Sequence, residues 1–330
     1  MNTDEFIDNV IMNITGSEIA PMSKSDLQCA PGKEYEAGSC ISLVILEEMC
    51  RAYNIMADEE ENKIVLSSNM SVLNPQKYKI YLIYELGRRI GDKCETQKCW
   101  SKQDFIFQMN EAAKTELLKY TFKPDSPQGK FEWLSTFDIN DSMEQYEKIN
   151  PEFKFFGAIP MDFEDLPGLE INRIDYEKLH NDGKSLLGVI FNLDDHYDPG
   201  SHWVGMYTNL DKGHIFYYDS FGVKPEKRVR SLMRKQTRYL IDKRGFDIND
   251  VYINYNKKQH QKQNSECGVY SMSFILRMVR EDHKDILREK NGENPLNPNG
   301  EFFEQLCNTP ISDNEINKCR KKYFDPYIHK

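Results

Sequence analysis

The chain has 330 residues, a formal net charge of −10 at pH 7 and a pI near 5.3, which argues against nucleic acid as the main partner of the whole surface. A hydrophobic content of 39% with 12% aromatic residues excludes a disordered chain, and the length is sufficient for about two domains. The charged N-terminus lacks an apolar signal core and no apolar run approaches the roughly 18 residues of a membrane span, so we expect a soluble protein that is not secreted and does not contact membranes.

The eight cysteines are sparse for a chain of this length. We therefore expect reduced thiols of a cytosolic protein and no disulfide scaffold. Cys94 and Cys99, together with Cys29 and Cys40, raise a zinc site as an alternative. Structural zinc pairs usually close over shorter spacings, and no histidine lies nearby in the sequence. We predict that the protein binds no metal and needs no cofactor.

The first 120 residues are predicted to be largely helical. Apolar residues with helical spacing cover the segments 5–15, 41–54, 76–89 and 102–120. Residues 121–130 contain two prolines, a glycine and no periodicity, which indicates a linker. We therefore predict an N-terminal helical domain over residues 1–130 and a second domain over residues 131–330.

The second domain is predicted to combine helices and strands. A helix over 133–149 is followed by strands at 154–160 and 186–193, a hairpin, a helix over 225–243 and a strand at 251–255. Strands and helices in such separate runs indicate an α+β fold. The helix over 225–243 carries basic residues opposite its apolar stripe. This pattern indicates a solvated face or, alternatively, a docking surface for an acidic partner or nucleic acid.

The hairpin is predicted from two alternating segments on either side of residues 209–213. Because paired positions in an antiparallel hairpin keep a constant sum, His202 is expected opposite residue 219 or 220. His202 and Asp219 would then meet at the open end of the hairpin. There Asp219 can orient the imidazole, and His202 can accept a proton from a nucleophile.

Cys267 is predicted to lie at the start of a helix. The polar residues 261–266 run directly into an apolar segment with helical spacing. The N–H groups and partial positive charge of a helix N-terminus favour a thiolate. Gly268 leaves the backbone unshielded beside the sulfur and Gln261 supplies a neutral donor, so an oxyanion hole is expected here. A buried structural cysteine is the alternative for Cys267.

Three motifs of the second domain carry a family resemblance. They are His202-Trp203, Asp219-Ser220-Phe221-Gly222 and Gln261-x5-Cys267-Gly268, in this chain order. The set resembles the signature of the ubiquitin-like-protein-processing and adenain-like cysteine proteases. Upstream, the residues around Cys29 and Cys40 and the stretch 122–135 are similar to the polyprotein-processing proteases of nucleocytoplasmic large DNA viruses. The chain departs from the pattern at Glu266, where SUMO proteases usually have Asp, and at Lys262-Gln263, where a proline often follows the glutamine.

The resemblance implies a papain-like cysteine protease core, with a central mixed sheet between helices and a mainly helical N-terminal arm. His202, Asp219 and Cys267 would form the catalytic triad, and Gln261 would donate to the oxyanion. In the SUMO-protease-like enzymes two tryptophans enclose a narrow passage for a Gly-Gly tail. The matching residues here are Trp203 and Trp133, which with Gly268 are the predicted substrate-binding residues.

The resemblance also implies a biological role. A virally encoded enzyme of this kind would cleave after Gly in Gly-Gly or Ala-Gly sites of structural polyproteins during virion maturation, at assembly sites in the host cytoplasm and in the virion. The first alternative is a deSUMOylase or deubiquitinase that acts on ubiquitin-like conjugates. The second is a catalytically silent binding module. The presence of all four catalytic residue types argues against the second, because a binding module has no use for a polarised thiol.

Overall fold

The computed structural model describes residues 2–14, 26–91, 94, 96–127, 132–281 and 298–326. The chain divides into two compact units, Met1–Pro124 with Phe324–Lys330, and Asp125–Tyr323. The predicted domain boundary, between residues 130 and 131, lies a few positions C-terminal to the division between these two units. The last residues, which we assigned to the second domain, group with the first unit. Within the described residues, no helix is long and apolar enough to span a membrane.

The first unit is helical. Its α-helices are α1 (Thr3–Asn13), α2 (Leu43–Met56), α3 (Ser68–Leu73), α4 (Pro75–Ile90), α5 (Gln97–Trp100) and α6 (Glu111–Tyr120). The three predicted helices that correspond to α1, α2 and α4 are confirmed. The single helix predicted over 102–120 is wrong, because a 3-10 turn at Asp104–Gln108 ends before α6 begins. Asn110 starts α6 anew, since its side chain accepts a hydrogen bond from the N–H of Ala113 at 2.9 Å.

Two disulfides lie in the first unit. Cys29 is bonded to Cys40 and Cys94 to Cys99, with Cα–Cα distances of 5.2 and 5.4 Å that a disulfide spans readily. The prediction of reduced thiols is therefore wrong for these four cysteines, because a low overall cysteine content does not prevent two short-range pairs from meeting. The zinc alternative loses its ligands as well, since a disulfide sulfur is not a thiolate. Cys50, Cys267, Cys307 and Cys319 are free.

The second unit is built on a five-stranded mixed sheet. Its strands, in spatial order, are β1 (Phe153–Pro160), β2 (Leu186–Asn192), β3 (Trp203–Asn209), β4 (His214–Tyr218) and β5 (Tyr252–Tyr255). The β1–β2 and β4–β5 pairs are parallel, and the β2–β3 and β3–β4 pairs are antiparallel. The helices are α7 (Thr136–Ile149), α8 (Tyr176–Asn181), α9 (Lys227–Asp242), α10 (Cys267–Arg280), α11 (Pro298–Asn308) and α12 (Asp313–Tyr323). The predicted α+β fold with a mixed sheet and helices is confirmed.

Helices cover both faces of this sheet. On one face, the α9 residues Val229 and Leu232 belong to the same buried apolar cluster as Val204 and Met206 of β3. On the other face, Gly205 of β3 lies against α10, where an added Cβ would be 3.2 Å from the Phe274 ring. Adjacent strand residues point to opposite faces. Because Val204 and Met206 face α9, position 205 between them faces α10, where the glycine leaves space for the helix.

The start of α10 is fixed to the start of β3. The Ser271 hydroxyl, one helical turn after Cys267, donates a hydrogen bond to the Trp203 carbonyl at 3.1 Å. Because His202 immediately precedes Trp203, this contact places the first residue of α10 beside the histidine. The packing of one helix on one strand thus determines the geometry of the candidate site.

The outer face of α9 is basic, as the sequence indicates. Arg228 pairs with Asp165 at 2.7 Å and Lys235 with Glu164 at 3.5 Å, both within the second unit. Arg234 and Arg238 are exposed to solvent. The docking surface for an acidic partner or nucleic acid stays a prediction.

The cysteine pairing can be checked by counting thiols. Protein denatured without a reductant is expected to react with a thiol reagent at four cysteines, and reduced protein at eight. The measurement is the mass increase after alkylation, with peptide mapping to identify the alkylated positions. Alkylation of Cys29 or Cys94 in freshly purified, unreduced protein would contradict the two disulfides.

Candidate active site

His202 and Asp219 lie at the open end of the β3–β4 hairpin. The hairpin pairs Gly205 with Tyr218, a register that extends to His202 opposite Phe221, so the predicted register is wrong by one or two positions. The rings of His202 and Phe221 are accordingly close, with centroids 4.6 Å apart. The Asp219 carboxylate nevertheless reaches the imidazole, and His202 Nε2 donates a hydrogen bond to Asp219 Oδ1 at 2.7 Å.

The Asp219 carboxylate is held in a fixed orientation. Its Oδ1 also accepts from the Phe221 N–H at 2.8 Å, and its Oδ2 accepts from the Val223 N–H at 3.2 Å. The fully buried Asn256 accepts from the Asp219 N–H at 2.8 Å and donates to the Asp219 carbonyl at 2.6 Å. Sequence reasoning missed Asn256, because its role depends on a contact with a strand that is distant in sequence.

Gly222 explains the glycine of the Asp219-Ser220-Phe221-Gly222 motif. Its φ of 75° lies in the left-handed region, where residues with a side chain are strained. A Cβ at this position would also lie 2.7 Å from the backbone of Lys258. The turn after Asp219 therefore packs backbone to backbone against the segment that leads to Gln261.

Cys267 is the first residue of α10, is buried, and forms a side-chain hydrogen bond with His202. Burial lowers the pKa of His202, but the hydrogen bonds to Asp219 and Cys267 and the negative charges of both outweigh it and raise the pKa to about 9. An imidazolium at neutral pH stabilises a neighbouring thiolate.

Gln261 is buried in the loop that precedes Cys267. Its Oε1 accepts a hydrogen bond from the Ser220 hydroxyl at 2.7 Å, and its Nε2 donates to the Gln263 carbonyl at 2.7 Å. Its backbone N–H donates to the Ser220 carbonyl at 3.0 Å. A primary amide carries two N–H bonds, so the contact with Gln263 leaves one N–H for a substrate oxygen. Ser220 follows Asp219 directly and thus connects the amide to the base.

The predicted substrate-binding residues meet at Leu134. An added Cβ at Gly268 would lie 3.0 Å from Cδ1 of Leu134, so close packing also requires a glycine at this position. The Trp203 indole N–H donates to the Leu134 carbonyl at 2.8 Å. Trp203 is 5% exposed, whereas Trp133 is 48% exposed. Trp133 therefore presents its ring to solvent from a segment that is anchored beside the nucleophile.

A buried polar network lies between α12 and the residues directly before Cys267, and sequence reasoning missed it. Glu266, which is fully buried, accepts from the Asn317 amide at 3.2 Å. Arg320 donates to the Ser265 carbonyl at 3.0 Å. Burial lowers the pKa of Arg320, opposed by the negative charges of Glu266 and Cys267. Arg320 thus connects helix α12 to the residue before Glu266, two positions ahead of Cys267.

His260 is nearest to Gln261 in sequence among the histidines, yet it has a structural role. Its Nε2 donates to the Leu306 carbonyl at 2.9 Å, and its Nδ1 accepts from the Ile311 N–H at 3.1 Å. Burial lowers the pKa of His260 despite the hydrogen bond to Leu306. A neutral imidazole with both nitrogens engaged is not available as a base.

Comparison with known proteins identifies the family. The model of the Ulp1 protease family, C-terminal catalytic domain, matches residues 168–294. A protein of Acanthamoeba polyphaga mimivirus that bears the name of a thiol protease is 34% identical over 303 residues, which cover 90% of this chain and 92% of that protein. The chain therefore belongs to the Ulp1 protease family. It is a cysteine protease and acts on protein substrates.

Solved structures agree at the level of the fold. The crystal structure of the ASFV pS273R protease has a TM-score of 0.55 and 18% identity, and the match covers 83% of this chain and 94% of that chain. A selenomethionine crystal structure of the same protease also has a TM-score of 0.55, with 17% identity over 94% of this chain and 98% of that chain. This likeness confirms a protease fold with a helical N-terminal region.

The electrostatics of the pair can be tested with Asp219→Asn. The neutral amide removes the charge and weakens the hydrogen bond that raise the pKa of His202, so this pKa should fall from about 9. A raised pKa stabilises the fold fully below the ordinary value of 6.5, and this contribution is lost as the pH rises through about 9. The variant should therefore be destabilised most at low pH, with a difference that narrows toward pH 9.

The measurements are an NMR titration of the His202 imidazole nitrogens and urea unfolding at several pH values. Asp211→Asn is the matched control, because Asp211 pairs with another histidine, His180, at 2.9 Å. It should leave the His202 titration unchanged. An unaltered His202 pKa in Asp219→Asn would show that the carboxylate does not hold the proton on the ring.

Proposed function

We propose that the chain is a cysteine endopeptidase whose catalytic triad is His202, Asp219 and Cys267, with Gln261 as an oxyanion donor. The observation that carries the proposal is the position of one imidazole between a buried carboxylate and a thiol at a helix N-terminus, with 2.7 Å between His202 Nε2 and Asp219 Oδ1. This is the nucleophile, base and orienting group that covalent acyl transfer requires.

The proposed reaction proceeds through a thioester. The Cys267 thiolate attacks the scissile carbonyl, and the resulting oxyanion accepts hydrogen bonds from the Cys267 backbone N–H and from Gln261 Nε2. The imidazolium of His202 transfers its proton to the leaving amine as the C–N bond breaks. His202, now neutral, removes a proton from water, which attacks the thioester and releases the acid. Asp219 stabilises the imidazolium in both steps and keeps the ring oriented.

The proposed specificity is for Gly immediately before the cut, preceded by Gly or Ala. Trp203 is anchored to Leu134, and Trp133 precedes Leu134 in sequence, so the two indoles belong to one support beside Cys267. A passage between flat rings admits an extended backbone but has no space for a branched side chain. Selectivity would then result from exclusion, which a closely packed site enforces strongly.

The proposed biological substrate is a viral structural polyprotein, cleaved during virion maturation at assembly sites in the host cytoplasm and in the virion. The support is the mimivirus relative, whose similarity extends over 90% of this chain and includes the helical first unit in addition to the protease domain. The alternative is a deSUMOylase or deubiquitinase, which the family description favours. Both alternatives use the same triad and differ in the substrate that fits.

Cys267 is expected to be the essential thiol. Cys267→Ala should abolish peptide cleavage while the thermal unfolding midpoint is retained, because it removes the nucleophile and little volume. Cys307→Ala is the matched control: burial raises the pKa of the Cys307 thiol to about 11, so it should alkylate slowly and be dispensable. Loss of activity in folded Cys307→Ala, or persistent cleavage by Cys267→Ala, would contradict the assignment.

Specificity can be tested with peptides that carry Gly, Ala, Val or Leu before the scissile bond. Wild-type enzyme should cleave the Gly peptide roughly a hundredfold faster than the Val peptide, judged by kcat/KM. Trp133→Ala should gain tolerance for Val, and it is a cleaner variant than Trp203→Ala because Trp133 is half exposed and leaves no cavity. Phe137→Ala, which removes a neighbouring ring that is 78% exposed, should leave the preference unchanged.

Electrophilic probes based on ubiquitin and SUMO separate the two substrate classes in the same experiment. The polyprotein proposal expects cleavage of free Gly-Gly or Ala-Gly peptides with little labelling by either probe. Rapid labelling of Cys267 by a probe, combined with poor cleavage of the peptides, would favour the deconjugating alternative. Equal cleavage of the Gly and Val peptides by wild-type enzyme would refute the passage.

A further inference from the structure

We propose that Asp313 is a positioning residue of this protease, which holds the oxyanion loop (residues 261–266) in its active shape. The inference rests on the proposed role of Gln261 and extends it to a residue in the C-terminal helix α12. Asp313 is 8% exposed, and its carboxylate faces the loop from the first position of that helix. It touches neither the triad nor the proposed substrate passage.

The carboxylate binds the backbone directly after Gln261. The Lys262 N–H donates to Oδ2 at 3.0 Å and to Oδ1 at 3.3 Å, and the Gln263 N–H donates to Oδ2 at 3.1 Å. The Tyr270 hydroxyl, on α10, shares its single O–H between the Ile311 carbonyl at 2.8 Å and Oδ1 at 3.0 Å. One buried carboxylate thus connects the oxyanion loop to the helix that begins with the nucleophile. Hydrogen bonds to an ionised acceptor are stronger than those between neutral groups.

These contacts depend on the backbone of the loop and not on its side chains. Lys262 and Gln263 both direct their side chains to solvent. A proline at position 262 would have no N–H to donate to Asp313. Lys262, which stands where a proline often follows the glutamine in the resembling proteases, therefore supplies an N–H that Asp313 binds.

Helix α12 holds the other end of the same loop. Asn317 donates to the Glu266 carboxylate at 3.2 Å, and Arg320 donates to the Ser265 carbonyl at 3.0 Å. Positions 313, 317 and 320 follow one another on a single face of a helix, which explains how one element contacts both ends of the loop. The match to the protease family model ends at residue 294, before α12 begins.

The expected consequence is an effect on turnover. The segment from Asn256 to Glu266 contains no helix or strand, so its shape depends on individual hydrogen bonds. Gln261 Nε2 must be in place when the oxyanion forms, and a small displacement of a donor is costly in the transition state and of little effect on substrate binding. Loss of the Asp313 carboxylate should therefore reduce kcat and leave KM nearly unchanged.

The experiment compares Asp313→Asn with wild type, Gln261→Ala and the double variant. We expect kcat to fall about tenfold in Asp313→Asn, with KM and the rate of Cys267 alkylation by iodoacetamide unchanged. In the Gln261→Ala background, Asp313→Asn should have almost no further effect, because Asp313 acts through Gln261. Glu315→Gln is the matched control. Glu315 caps α12 by accepting a hydrogen bond from the Ser312 hydroxyl at 2.8 Å, and among the described residues it has no contact with the loop.

The outcomes separate the inference from the proposed function. If Gln261→Ala loses turnover but Asp313→Asn does not, the inference is wrong and the oxyanion assignment stands. If Gln261→Ala keeps normal turnover, the oxyanion assignment fails and the inference with it. Additive losses in the double variant, or an equal loss in Glu315→Gln, would show a general structural role and overturn the inference. Should Asp313→Asn unfold, Tyr270→Phe removes the hydroxyl contacts with Asp313 and with the Ile311 carbonyl, and it must show a smaller loss of kcat at unchanged KM.

Discussion

The close packing of α10 on β3 is the constraint on which the candidate site depends. Gly205 lets the helix approach the strand closely. The Ser271 hydroxyl fixes the position of the helix along the strand by donating a hydrogen bond to the Trp203 carbonyl at 3.1 Å. The helix carries Cys267, the proposed nucleophile, and His202, the proposed base, directly precedes the strand. A side chain at position 205 would have to displace Phe274 or the helix, and the distance between sulfur and imidazole would change with it.

A second set of contacts joins His202, the proposed base, to Gln261, the proposed oxyanion donor. Asp219 orients His202, and the adjacent Ser220 binds Gln261 through both its hydroxyl and its carbonyl. The turn that contains these residues can approach the Gln261 segment because Gly222 has no side chain. The groups proposed for proton transfer and for oxyanion stabilisation are thus positioned by one short motif. Its sequence is constrained by backbone packing as well as by chemistry.

The parts that sequence predicts well are those with local signals. Periodicity locates the hairpin, the strands and the helix that begins at Cys267, because alternation and helical spacing are visible within a few residues. The predicted hairpin register is wrong by one or two positions. The geometry of the loop determines the register, and the turn sequence 209–213 is compatible with several loop geometries. Even so, His202 and Asp219 meet, because Asp219 lies two positions from residue 221, which is opposite His202, and such diagonal positions share one face of the hairpin.

Long-range contacts account for what sequence reasoning missed. Asn256 supports Asp219 from the segment that follows β5, and Asp313 and Arg320 support the loop from a helix that follows it by about 50 residues. Nothing in the local sequence distinguishes these side chains from ordinary surface polar residues. The Cys29–Cys40 and Cys94–Cys99 pairs were missed for a different reason. A low overall cysteine content predicts free thiols, but whether two cysteines form a disulfide depends on how close the local fold brings them.

The buried charges of the site explain why these distant supports are necessary. His202 and Arg320 are cationic groups with little exposure, and Asp219 and Glu266 are buried acidic residues beside them. Each charge would be costly to bury alone, and each is compensated by a neighbour of opposite sign or by backbone N–H groups. The Cys267 thiolate adds a negative charge to this set when it forms. The neighbouring opposite charges reduce the cost of an ionised Cys267 in this buried position. It also means that neutralising any one partner leaves another buried charge uncompensated, so the chemistry and the stability of this region are coupled through the same few side chains.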